Sequence, residues 1–178
     1  PTGGSFSICS AKRASGQDGV RFQGLLPPFP RCPTMTSMAA TSIDTGPLRR
    51  ALAMLREALD FWHQQADGTP LKPHLRSAVI QSFEFSYELS VRLLRRVLIE
   101  RAAAAPEVTE LSFNDLLRSA AAAGLLAEPL RWREWRELRN ATSHAYDEGT
   151  AQAVAGKSAA FLVDAEALLL QLEDSLGR

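Results

Sequence analysis

Between Arg131 and Tyr146 the chain gathers the residue types best suited to chemistry. Arg131, Arg133, Arg136 and Arg139 follow one another closely, and Asn140, His144 and Tyr146 come directly after them. A guanidinium stays charged and grips two phosphate oxygens at once. An imidazole titrates near neutrality, so it can take a proton from a ribose hydroxyl or return one to a leaving oxygen. Asn140 adds an amide that can fix the imidazole tautomer or bind a phosphate. In RNA the 2′-hydroxyl is an internal nucleophile, so Arg139 and His144 suffice for phosphodiester cleavage, with no metal and no cofactor. The pair alone does not decide the matter. A histidine at a helix end is commonly a cap, and Tyr146 reads equally well as a core aromatic with its hydroxyl at the rim.

These residues need an element to hold them. If one helix opened by Pro129 runs through the segment, Arg136, Asn140 and His144 lie four apart in one polar row. Arg139, Thr142 and Tyr146 then form the adjacent row, and Trp132, Trp135 and Leu138 anchor the helix in a core. The rest of the chain is also helical in pattern. Pro47 fits a first helical position, and Leu48, Leu52, Leu55, Leu59 and Trp62 recur at three- and four-residue steps until Gly68-Thr69-Pro70. A long helix over about 73–104 carries two apolar stripes: Ile80, Phe83, Tyr87, Val91, Leu94 and Leu98, and Phe85, Leu89, Leu93 and Val97. So wide an apolar arc is covered on two sides, by its own bundle and by a second copy of the chain. The polar edge, Glu84, Glu88, Arg92 and Arg96, has the spacing of i,i+4 ion pairs. Ser112 caps a short helix over 113–123, with Asp115 reaching back in a capping box and Gly124 ending it. A last helix over about 150–176 turns Val154, Phe161, Ala165, Leu168, Leu172 and Leu176 inwards. No segment alternates like a strand. The expected fold is all-α: an up-and-down bundle of four main helices plus a short one, forming a homodimer.

Eleven of the twenty-one Gly and Pro residues precede residue 47, and Leu25-Leu26-Pro27-Pro28-Phe29-Pro30 cannot be helical. Residues 1–46 are therefore expected to be a flexible tail, with Met35 or Met38 as an alternative start, and residues 47–178 to be the domain. Formal charge is zero, so any contact with nucleic acid must come from a local basic patch. Cys9 and Cys32 both lie in the tail, and His63, His74 and His144 are too far apart to suggest a structural zinc site. With no long apolar run and no secretory signal, a membrane span is not expected, and the cytoplasm is the expected location.

Arg139-Asn140-x-x-x-His144, on the penultimate long helix of an all-α domain, resembles the signature of the HEPN superfamily. Arg139 to Glu148 as a whole, and Phe83-Glu84-Phe85-Ser86-Tyr87-Glu88-Leu89, are similar to two hallmarks of its nucleotidyltransferase substrate-binding subunits. Gly124-Leu125-Leu126 before a Trp-rich helix fits as well. The resemblance covers about residues 47–176. It departs after Leu89, where Ser90, Val91 and Arg92 replace the family's usual aromatic residue and lysine. The resemblance implies a dimer that partners a minimal nucleotidyltransferase. It also implies a toxin–antitoxin pair in which this chain is a ribonuclease acting on RNA and the nucleotidyltransferase neutralises it by adenylylating a tyrosine. Arg139 and His144 are then catalytic, Asn140 assists and Tyr146 is the modified residue. The alternative is a non-catalytic subunit that presents a substrate or nucleotide to the nucleotidyltransferase.

Overall fold

The computed structural model describes residues 43–102 and 108–177. They form five helices and a 3₁₀ turn, with no strand among them: α1 (Gly46–Gln64), α2 (Lys72–Arg101), α3 (Phe113–Ala122), α4 (Pro129–Ala141), the 3₁₀ turn (Thr142–His144) and α5 (Glu148–Ser175). The expected all-α bundle of four main helices and a short one is present. The two cysteines and most of the expected tail lie outside the described residues, as does the expected end of the second helix at Ala104. The packed domain reaches back beyond Pro47, because Ile43 is fully buried and the Thr45 hydroxyl donates to Glu173 at 3.0 Å.

The helix ends follow from local chemistry. Pro47 stands in the first turn of α1. At its far end the Lys72 ammonium donates to the carbonyls of Trp62 and Gln65 at 2.6 and 2.7 Å, satisfying acceptors that the last turn leaves free. The Ser112 hydroxyl accepts from the Asp115 amide at 3.3 Å and donates to the Asp115 carboxylate at 2.6 Å, so the expected cap forms. Gly124 ends α3 at φ +72°, a conformation that favours glycine. Asp147 caps α5: its carboxylate accepts from the Thr150 amide at 2.8 Å and the Thr150 hydroxyl at 2.9 Å, which holds it below the usual carboxylate range.

α1, α2 and α5 share the most extensive packing, and α3 and α4 are added to it. Phe161 of α5 is the node that fixes α4. Its ring centroid lies 4.9 Å from that of Phe83 on α2, edge to face, and 5.8 and 6.2 Å from those of Trp135 and Trp132 on α4. Each aromatic is nearly inaccessible to water, so area burial and edge-to-face geometry act together to set the angle between α4 and α2. Asp164 adds direction, accepting from Trp135 Nε1 at 2.8 Å and from Arg131 Nε at 2.7 Å.

Two expectations need correction. The second apolar stripe of α2 is largely covered from within: Leu93 and Val97 are buried and Leu89 is half-buried, while Phe85 alone stays 53% exposed. The helix begun at Pro129 does not run on to Tyr146. The Thr142 and Ser143 hydroxyls each donate to a carbonyl three residues back, Arg139 and Asn140, at 2.7 Å. Such side-chain bonds compete with helix continuation. The chain tightens into a 3₁₀ turn instead, with the Ala145 amide on Thr142 O at 3.0 Å.

Candidate functional site

Arg139 lies at the last turn of α4 and is 32% exposed as a side chain. Its guanidinium turns to α2, with Nη1 3.4 Å from Glu84 Oε1 and Nε 3.2 Å from Glu88 Oε1. Nη1 also donates to the Thr142 hydroxyl at 3.2 Å, and that hydroxyl donates to Glu84 at 2.5 Å. The contact from Nε is poorly directed: Nε is buried and makes no hydrogen bond, so Glu88 holds it by charge alone. Glu84 and Glu88 therefore do not form the ion pairs along α2 that their spacing suggested. Together they turn to one arginine of another helix.

His144 ends the 3₁₀ turn with its imidazole exposed, its ring edge-on to Tyr146 at 6.1 Å. Tyr146 is 86% exposed, so it is no core aromatic. Asn140 is exposed too, and lines a groove of about 390 Å³ with Phe113, Asn114, Arg133, Arg136 and Glu137. Because the helix ends at Ala141, the row Arg136–Asn140 is continued to His144 by a tighter turn, and Tyr146 leaves the row of Arg139 and Thr142. Among the described residues no hydrogen bond or ion pair joins the side chains of Arg139, Asn140 and His144 to one another. A cavity of about 560 Å³ between the 124–128 loop and α5 is larger, yet none of the candidate residues lines it.

Tyr87 on α2 completes the surroundings. It lies in the field of Arg136 and Arg139 on one hand and Glu88 on the other. Burial pushes its phenol up to about 12, with Glu88 adding to the rise and the two arginines opposing it. The phenol therefore stays protonated at neutral pH. Among the described residues no group of three or more His, Cys, Asp or Glu is placed to hold a metal ion, and no helix is long and apolar enough to cross a membrane.

The all-α bundle and its sequence have counterparts among known proteins. The chain belongs to the family described as nucleotidyltransferase substrate binding protein like, whose model matches residues 44–174. It is 39% identical over 98 residues to a Haemophilus influenzae protein named probable ribonuclease HepT, spanning 55% of this chain and 67% of that protein. A solved H. influenzae structure, described as the fold of a substrate binding domain of a nucleotidyltransferase, superposes with a TM-score of 0.67 at 31% identity. That likeness covers 73% of this chain and 99% of the other.

Proposed function

We propose that this chain is a metal-independent endoribonuclease of the HEPN type, with Arg139, Asn140 and His144 as its catalytic set. The observation that carries the reading is an arginine held by two carboxylates at a helix end, five residues before an exposed histidine, in a relative of a protein named a probable ribonuclease. In the step proposed, the His144 imidazole removes the proton of a 2′-hydroxyl, whose oxygen bonds to the adjacent phosphorus. The bond from phosphorus to the 5′-oxygen breaks, and a second imidazole or water returns a proton to that oxygen. Arg139 binds the non-bridging oxygens, where charge accumulates. The phosphate displaces Glu88, the weakly directed partner, while Glu84 and Thr142 keep the guanidinium aimed. A homodimer would set two such sites across one cleft and supply the second imidazole.

The same reading gives the chain a minimal nucleotidyltransferase as partner and a place in a toxin–antitoxin pair in the cytoplasm. Tyr146 is accessible enough to enter another protein's active site. Its phenol oxygen, giving its proton to a base of the nucleotidyltransferase, would attack the α-phosphorus of ATP, releasing pyrophosphate and leaving an AMP ester whose bulk and charge obstruct Arg139. A second reading, a non-catalytic subunit of a nucleotidyltransferase, is favoured by one observation: two carboxylates already neutralise Arg139.

The deciding assay incubates the purified chain with single-stranded RNA in EDTA, beside His144→Ala and Arg139→Ala, with circular dichroism as the fold check. Each variant should lose about two to four decades in rate while keeping its helicity. Equal rates in all three proteins would remove the catalytic assignment, and no cleavage by any would turn the assignment to the non-catalytic subunit.

A further inference from the structure

The groove beside the site contains a feature that phosphate binding and proton transfer leave unused. The Arg136 guanidinium lies over the Phe113 ring, its carbon 4.6 Å from the ring centroid. Phe113 is half-buried at the start of α3, whereas Arg136 is exposed. The guanidinium thus sits over an aromatic ring, and both residues line the groove. A free arginine must give up side-chain freedom to stack on a ligand, but here the ring already restricts it. Asn114, Glu137 and Asn140 surround the plane with amide donors, amide acceptors and a carboxylate. A carboxylate in the groove opposes a phosphate but accepts hydrogen bonds from the edge of a base.

We propose that Phe113 and Arg136 form a stacking platform for one unpaired base of single-stranded RNA, near the bond that is cut. The inference rests on the reading of Arg139 and His144 as an RNA-cleaving site and adds to it a recognition subsite. Unpaired bases stack on arginine planes as they do on aromatic rings, and stacking tolerates any base. Arg136 and Asn140 share a face of α4, and the 3₁₀ turn that ends in His144 begins directly after that helix. The platform therefore takes a base close to the scissile phosphate and splays it away from its neighbours. Asn114, Asn140 and Glu137 would hydrogen-bond that base's edge, and Arg133, which lines the same groove, would meet an adjoining phosphate.

The probe is a fluorescent RNA oligonucleotide with every 2′-hydroxyl methylated, so that it cannot be cut, together with a series carrying one abasic position each. Fluorescence anisotropy gives the affinities. One abasic position should weaken binding to the full-length chain by about tenfold, the loss of one stacked base. Arg136→Ala should cost a similar factor on the intact oligonucleotide and almost nothing further on that abasic one. Arg136→Lys keeps the charge without the plane and should bind like Arg136→Ala. Phe113→Ala should weaken binding in the same direction, with circular dichroism confirming its fold. Arg136→Lys binding like wild type, additive losses, or no sensitive abasic position would each overturn the platform. Cleavage of unmodified RNA by wild type is scored separately. Cutting without the abasic signature removes the platform and keeps the nuclease, and the signature without cutting does the reverse.

Discussion

Glu84 and Glu88 reach the same guanidinium but are not equivalent. Glu84 is held by the Thr142 hydroxyl and shares it with Arg139 Nη1, whereas Glu88 is 53% exposed and meets a poorly aligned Nε. A half-exposed ion pair contributes little to stability, so its larger effect is on what can bind. Glu88→Gln should leave the fold unchanged and lower KM for RNA severalfold, because the incoming phosphate then displaces a neutral amide. Glu84→Gln loosens the aim of Arg139 and should lower kcat instead. Steady-state kinetics on the two variants checks the split, and equal effects on KM and kcat in both would contradict it. Tyr87 gives a second residue-scale expectation. The phenol ionises near 10 when unfolded and at about 12 when folded. Across that window the folded chain keeps a proton that the unfolded chain releases, so stability is full below about 10 and falls as pH rises towards about 12. Urea midpoints should drop between about pH 10 and about pH 12, and Tyr87→Phe should flatten that drop. A drop of equal size in the variant would assign it to other groups.

Among the elements, α4 is the one the site depends on. Its aim relies on Asp164 of α5, which accepts from both Trp135 and Arg131. Asp164→Ala should destabilise the fold by about 2 kcal/mol, since it strands the buried indole N–H. Trp135→Phe, which removes that donor, should make the loss smaller in the double variant than the sum of the single losses. Denaturant unfolding of the four proteins measures the coupling, and strict additivity would show that the bond carries no stability. The element boundaries were legible wherever one residue sets them, as at Pro47, Ser112, Gly124 and Pro129. The stop after Ala141 was not, because Thr142 and Ser143 are equally consistent with a helix that continues and one that turns back on its carbonyls. Which of the two forms depends on where those hydroxyls find acceptors in the folded chain. For the same reason Arg139, Asn140 and His144 could be named from their types and spacing, but the acidic partners could not. A glutamate at i and another at i+4 look like a solvated edge until a cation from another helix is brought between them. Phe113 escaped notice because its stacking partner lies on the next helix.

Taken whole, the molecule has no net charge to draw RNA towards it, so any affinity for RNA must come from the local arginines and from the proposed stacking. The wide apolar arc of α2 argued for a partner copy, but its own bundle covers most of that arc, and Phe85 is what remains. A homodimer seated on this exposed residue is still what a two-imidazole mechanism calls for. Light scattering at micromolar concentration should give twice the protomer mass, and Phe85→Asp should shift the species to monomer and reduce cleavage with it. A wild-type chain that is monomeric and fully active would show that one protomer contains the whole site.

The Thr142 hydroxyl has one proton and two acceptors within reach, Glu84 at 2.5 Å and the Arg139 carbonyl at 2.7 Å. It can satisfy only one of them at a time. With Glu84 in place, the proton binds the carboxylate into the Arg139 cluster. When a ligand displaces Glu88, Glu84 keeps that proton and the guanidinium stays aimed; were Glu84 lost to water, the proton would rotate to the carbonyl and complete the end of α4. Neither arrangement leaves the hydroxyl proton without an acceptor, and the bond to the carboxylate is the stronger of the two. One rotatable O–H therefore guards the end of α4, so the arginine cluster can open on its Glu88 side to admit a ligand and close again without disturbing the helix that carries it.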